Sequence, residues 1–156
     1  MIPEQNPKVM NLIKEYLEQA RLMQVATSKD NQPWACSVYF VSDSSLKLYW
    51  ISHPTRRHSE EIRANSKVAG TIVLPHTPGD KARGIQFQGI AQELEEKKEV
   101  EFAVNEYAKR YKLSQERIRN ILENKDGHLC YCIEPTWFVL FDEVNFPDSP
   151  RQEYKL

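Results

Sequence analysis

The chain has 156 residues, 40% of them hydrophobic and 28% charged, with a formal net charge of -1. That is the make-up of one ordinary globular domain, taken here as residues 1–156, and the near-neutral charge gives no reason to expect nucleic acid or an anionic membrane as the main partner. No apolar run approaches the roughly 20 residues that span a bilayer, and "MIPEQNPKVM" holds no leader-like stretch, so the cytoplasm is the expected compartment.

Asn6-Pro7 has the form of a helix opening, and Val9, Met10, Leu12, Ile13, Tyr16 and Leu17 recur at helical spacing, which predicts an amphipathic helix over 7–20. "RLMQVAT", "WACSVYFV" and "LKLYWIS", separated by the turn-like "SKDNQP" and "SDSS", predict a three-stranded antiparallel meander. A short helix over 56–65 follows. "KVAGTIVLP" and "ARGIQFQGIAQEL" then read as strands, with Gly84 and Gly89 suggesting bends or bulges. From Glu95 the chain becomes helical and highly charged, with Val100, Ala103, Val104 and Tyr107 on one face. A second helix capped at Leu113-Ser114 turns Ile118, Ile121 and Leu122 inward. Two strands, "GHLCYCIEP" and "TWFVLFDEVNF", and a tail, "DSPRQEYKL", end the chain. The expectation is about seven antiparallel strands closing into a small β-barrel, mainly β with helices, with a helical insertion at about 95–125.

Three cysteines, Cys36, Cys130 and Cys132, argue against a disulfide framework. Cys130 and Cys132 would share one strand face, and with only His128 nearby the residues favour core packing over a metal centre. His53 and His76 stand alone in loops, as solvated surface groups would.

The stretch "SHPTRRHSEE" is unusual, because it puts Arg56, Arg57 and His58 at a helix start, where free N–H groups and the helix dipole disfavour cations. Two readings stand. A bound phosphate would make the three groups favourable, with Ser52 and Thr55 adding hydroxyls. Alternatively the side chains turn away and pair with Glu60 or Glu61. Trp34, Tyr39, Phe40, Tyr49 and Trp50 lie on strands leading to this junction, where they could wall a pocket for a flat ring or pack a core. Gln86, Gln88 and Gly89 hint at polar groups for a heterocycle's edge. The chain has no Walker loop, no GxGxxG after a strand, no nucleophile elbow and no zinc-protease pair.

In order and spacing, "WACSVYFVSDSSLKLYWIS", "TRRHSEEIRANSKVAGTIV" and "GIQFQGIAQEL" resemble the pyridoxamine 5'-phosphate oxidase-like, FMN-binding split β-barrel superfamily, over about Val9 to Phe146. Within that group the pattern looks closest to a little-characterised bacterial subfamily. The resemblance implies a cytoplasmic homodimer with FMN at the subunit interface and an FMN-dependent oxidoreductase activity. Its alternative is a carrier or sensor that holds flavin or haem without turnover. It also implies ring contacts from Ser37, Val38 and Tyr39, with Ile51 and Ser52 on the next strand, and phosphate contacts from Arg57 and His58, helped by Ser52 and Thr55. Arg56 is the bystander in that mapping, and the family's ring-side glutamine falls near Gln86. Many members carry lysine where this chain has His58. Arg151 does not match the C-terminal arginine pattern of the oxidases, and the 95–125 insertion replaces their short connection.

Overall fold

Asn6 opens the first helix as its position suggests, its side chain accepting from the Lys8 N–H at 2.9 Å, and α1 runs Pro7–Gln19. The computed structural model describes residues 6–156; residues 1–5, the start of the stretch read for a leader, lie outside them. β1 (Leu22–Lys29) and β2 (Gln32–Tyr39) form a hairpin whose two turn residues, Asp30 and Asn31, both have positive φ. Asp and Asn tolerate that region, and a turn of this hand matches the strand twist.

The expected meander breaks after β2. The chain passes through one unpaired residue, Phe40, into β3 (Val41–Ser42), which pairs with β4 (Leu48–Ser52). The sheet order is β2-β1-β5-β6-β7-β4-β3, so β2 and β4 lie near opposite ends of the path instead of side by side. The reason is visible in the backbone groups of Phe40, which bond to the Tyr111 hydroxyl and the Arg110 guanidinium instead of to a neighbouring strand. Since Phe40 alone joins the two end strands, the sheet must curl until its edges adjoin.

After β4 come α2 (Arg57–Ala64), β5 (Lys67–Val73) and β6 (Arg83–Glu93). α3 (Lys97–Tyr111) and α4 (Gln115–Leu122) form the insertion, and Ser114 caps α4 by accepting from the Arg117 N–H. The two strands expected near the C-terminus are one, β7 (Leu129–Asp142). It carries Pro135 through the sheet at a bulge: Gln88 faces Trp137 and Gly89 faces Pro135, which leaves Thr136 unmatched. Proline cannot donate to a ladder and is tolerated at such a point. Before the bulge β7 pairs with β4; beyond it β7 pairs with β8 (Arg151–Lys155). The segment read as a tail is therefore an eighth strand, and all pairings are antiparallel. The described residues form a curled, half-barrel antiparallel sheet with four helices.

Val9, Ile13, Tyr16 and Leu17 of α1 pack into the main core with Phe40, Trp50, Phe87 and Phe138. A second core joins Tyr49, Cys130 and Cys132 to Ala103, Val104 and Ile121 of the insertion, so both strand thiols are indeed packing groups. Leu122, expected inward, is 39% exposed at the end of α4. No helix among the described residues is long and apolar enough to cross a membrane.

Candidate functional site

β4 ends at Ser52, and the chain turns through His53–Arg56 into α2. Among the four helices of the described residues α2 alone starts without a side-chain cap: α1, α3 and α4 are capped by Asn6, Glu96 and Ser114, but Arg56 at the head of α2 makes no such bond. Its first-turn N–H groups are the kind a helix leaves without an internal partner.

The cations around this turn differ in what they touch. Arg57 donates from Nε to Glu61 Oε1 at 2.8 Å, and its guanidinium carbon lies 4.2 Å from the centre of the Trp34 ring. The reading in which an arginine turns to Glu61 thus holds for Arg57, through Nε. Its side chain stays 46% exposed, and its terminal nitrogens have no partner among the described residues. Arg56 is exposed, and its side chain makes no hydrogen bond or ion pair among them. His58 is buried, with Nε2 2.8 Å from Ser52 Oγ. Burial, then the Arg56 charge, pushes the imidazole below its ordinary pKa, against a smaller opposing pull from Glu61. His58 is therefore neutral in the free protein near pH 7.

Thr55 is engaged locally, its hydroxyl 2.8 Å from His53 Nδ1. His53 is no isolated loop group. Its ring meets His128 edge-on with centroids 5.8 Å apart, and His128 faces Asp126 at 3.2 Å. His76 stays in an exposed loop, with Nδ1 3.1 Å from the Leu74 carbonyl.

The sequence reading missed Glu61 and Thr27 as site residues. Glu61 is 5% exposed, and its Oε2 accepts from Thr27 Oγ1 at 2.5 Å while Oε1 takes Arg57. Those two bonds hold its carboxyl below the usual range. Thr27 and Trp34 are direct partners across the β1–β2 ladder, so one rung supplies both the acid's anchor and the arginine's.

Of the residues mapped to a ring, Ser37 and Gln86 fall into one row on the outer sheet face. Ser37, Gln24, Thr71 and Gln86 are successive cross-strand partners on β2, β1, β5 and β6. Gln24 donates to Ser37 Oγ at 3.4 Å and accepts from Thr71 Oγ1 at 3.2 Å. The next row is Ala35, Ala26, Ala69 and Gln88, a shelf of small side chains ending at Trp137. A depression of about 380 Å³ lies over the part of these rows formed by Ala26, Ala69, Thr71, Gln86, Gln88 and Trp137. Tyr39 points to the same face and is 53% exposed, whereas Val38 alternates inward onto the main core. Ile51 packs on the second core. The aromatic group divides likewise: Phe40, Tyr49 and Trp50 are core, and Trp34 and Tyr39 are exposed. Sequence alone gave no sign of Gln24 or Thr71, whose place depends on the strand register. Among the described residues no cluster of His, Cys, Asp or Glu could hold a metal ion.

Residues 10–138 match the family model described as pyridoxamine 5'-phosphate oxidase. A UPF0306 protein of Pasteurella multocida is 31% identical over 83 residues, which span 53% of this chain and 56% of that protein. Solved structures that share the fold include the following three. A conserved hypothetical protein of Mycobacterium tuberculosis superposes with a TM-score of 0.75 at 16% identity, covering 92% of both chains. An FAD-binding protein of Mesorhizobium loti gives 0.64 at 20% identity, over 83% of this chain and 89% of its own. The haem storage protein of Vibrio cholerae gives 0.65 at 18%, over 80% and 88%.

Proposed function

The chain belongs to the pyridoxamine 5'-phosphate oxidase family, and from that premise we propose that it is an FMN-binding flavoprotein, a cytoplasmic oxidoreductase whose single domain works as a homodimer with cofactor at the subunit interface. The observation that carries this reading is the start of α2: an uncapped helix end, two arginines with unpaired terminal groups, and a buried neutral histidine beside Ser52. That donor set fits a phosphate monoester, since free N–H groups and a guanidinium fork both suit its oxygens.

Arg57, Arg56 and the first-turn N–H groups of α2 hold the phosphate, with His58 and Ser52 behind them. Ser37, Gln24, Thr71 and Gln86 offer donors and acceptors to the edge of a ring, with Tyr39 beside them and the main chain of Val38 and Ile51 near. When bound, the flavin supplies hydride and electron transfer; the chain supplies binding, orientation and shielding from water. No strong acid or base is required of the chain in this scheme.

Purified protein is expected to be yellow, with the flavin absorbance bands and FMN in the mass spectrum of what co-purifies. Replacing Arg57 and His58 together by alanine removes the colour. A colourless protein that ignores added FMN in a titration overturns the reading. A second reading, a carrier of flavin or haem without turnover, draws on the shared fold of the Vibrio haem storage protein. Reduction of the bound flavin by NADH or NADPH no faster than free FMN, or tight binding of hemin in place of FMN, selects it.

A further inference from the structure

Glu61 poses a question of cost. A carboxylate that is only 5% exposed needs compensation, and a half-exposed arginine returns only part of it. Other acid–base pairs on the helices, such as Lys97–Glu101 and Lys109–Glu106, lie at the surface, where nothing is desolvated. The Arg57–Glu61 pair, by contrast, is sunk against the sheet, and its acid has a second anchor in Thr27.

The arrangement fixes one particular part of the arginine. Glu61 takes Nε, Trp34 covers a face of the guanidinium, and the two terminal nitrogens are left without protein partners among the described residues. The far end of α2 is tied to the same strand, because the Asn65 amide donates to the Ser28 carbonyl at 3.0 Å. An arginine pinned by Nε and by stacking keeps its outer fork intact and loses less freedom when that fork grips an oxyanion. An arginine bonded to the acid through its two terminal nitrogens would have that outer fork occupied.

We propose that Glu61, backed by Thr27, is a positioning residue that presents the terminal nitrogens of Arg57 to a phosphate. The inference rests on the phosphate reading of the α2 start. Glu61 does not touch the ligand; it acts through Arg57. It therefore matters only while Arg57 is present.

The test is a double-mutant cycle on the full chain, E61Q, R57A and E61Q/R57A, with FMN and separately inorganic phosphate as titrants and thermal melting as a folding check. Glu61→Gln is expected to weaken binding about tenfold in the parent chain and by less than about twofold in the R57A background. In ¹⁵N spectra the Arg57 Nε–H signal is expected to be protected in the parent chain and lost in E61Q. If E61Q does not fold, Thr27→Val, which removes the acid's other anchor, is run in the same two backgrounds with the same expectation. An equal loss in both backgrounds, or no loss, overturns the positioning role and leaves the flavin reading standing. Binding of inorganic phosphate without FMN overturns the flavin reading, and the phosphate cycle then decides on Glu61. A chain that binds neither overturns both.

Discussion

Tyr111 on α3 meets the unpaired backbone of Phe40, the N–H of Phe40 donating to the Tyr111 hydroxyl at 3.0 Å. The same hydroxyl lies against the carbonyls of Phe40 and Arg21, to one of which it gives its proton. Beside it Arg110 donates to the carbonyls of Phe40, Leu17 and Glu18, the last two at the end of α1, where a cation suits the helix dipole. The insertion is thus a clasp over the seam where the two ends of the sheet meet.

Removing the clasp's hydroxyl tests this directly. Tyr111→Phe keeps the ring but strands the Phe40 N–H, and a stranded backbone donor costs about 1–3 kcal/mol. Tyr107, whose hydroxyl makes no hydrogen bond among the described residues although its ring centroid lies 4.5 Å from that of Tyr111, is the control: Tyr107→Phe is expected to cost within about 0.5 kcal/mol. Denaturant unfolding measures both. Equal stabilities would mean that the seam does not depend on this bond.

The three thiols give a second check on the cores. Burial pushes Cys130 and Cys132 up to about 12, and burial, then Glu61, raises half-buried Cys36. The thiolate is the reactive form. At pH 8 the native chain is expected to react slowly with a disulfide reagent, at Cys36 first, and all three free cysteines are expected to react in denaturant. Fast labelling of Cys130 or Cys132 in the native chain would contradict their placement in the second core.

Much of the fold could be read from periodicity, because helix and strand repeats are local. All four helices and most strands carry that signal: Val9, Ile13 and Leu17 mark α1, and Ile85, Phe87 and Ala91 alternate inward on β6. What could not be read depends on contacts distant in sequence. Nothing near Phe40 announces that Arg110 and Tyr111, some 70 residues on, will claim its backbone and end the meander. Pro135 looks like a break between two strands, and only Gly89 opposite it lets one strand continue. At the candidate site, the odd charges of Arg56, Arg57 and His58 marked the start of α2. Thr27, Trp34 and the Ser37–Gln24–Thr71–Gln86 row became candidate site residues only once the strand register was known.

Gly89 carries its own expectation. A Cβ there would stand 2.4 Å from the Glu134 carbonyl oxygen and 2.8 Å from the Pro135 Cα, both backbone atoms that cannot step aside. Gly89→Ala is expected to cost about 2 kcal/mol or more. Gly79 has open space around it and a φ of +95°, so Gly79→Ala pays only the backbone strain, about 1 kcal/mol. Thermal or denaturant unfolding ranks the two; the reverse order would place the bulge elsewhere.

His58 ties the proposed ligand to pH. Its folded-state pKa lies below the ordinary 6.5, through burial and then Arg56. A depressed histidine leaves its share of stability intact above about 6.5, and that share is lost as pH falls through the folded value, because the unfolded chain takes the proton first. A phosphate dianion seated at the α2 start reverses the balance, since it favours the imidazolium. Binding of FMN should therefore take up protons near pH 7, and affinity should strengthen from pH 8 toward 6.5. The phosphate itself titrates near pH 6, so the comparison must be internal. Calorimetry in buffers of different ionisation enthalpy, on the parent chain and on His58→Gln, separates the two sources. The parent should take up more protons per FMN than the variant, in which the phosphate, bound as the dianion, can only release protons. Equal uptake would remove His58 from the phosphate's surroundings while leaving the arginines in place.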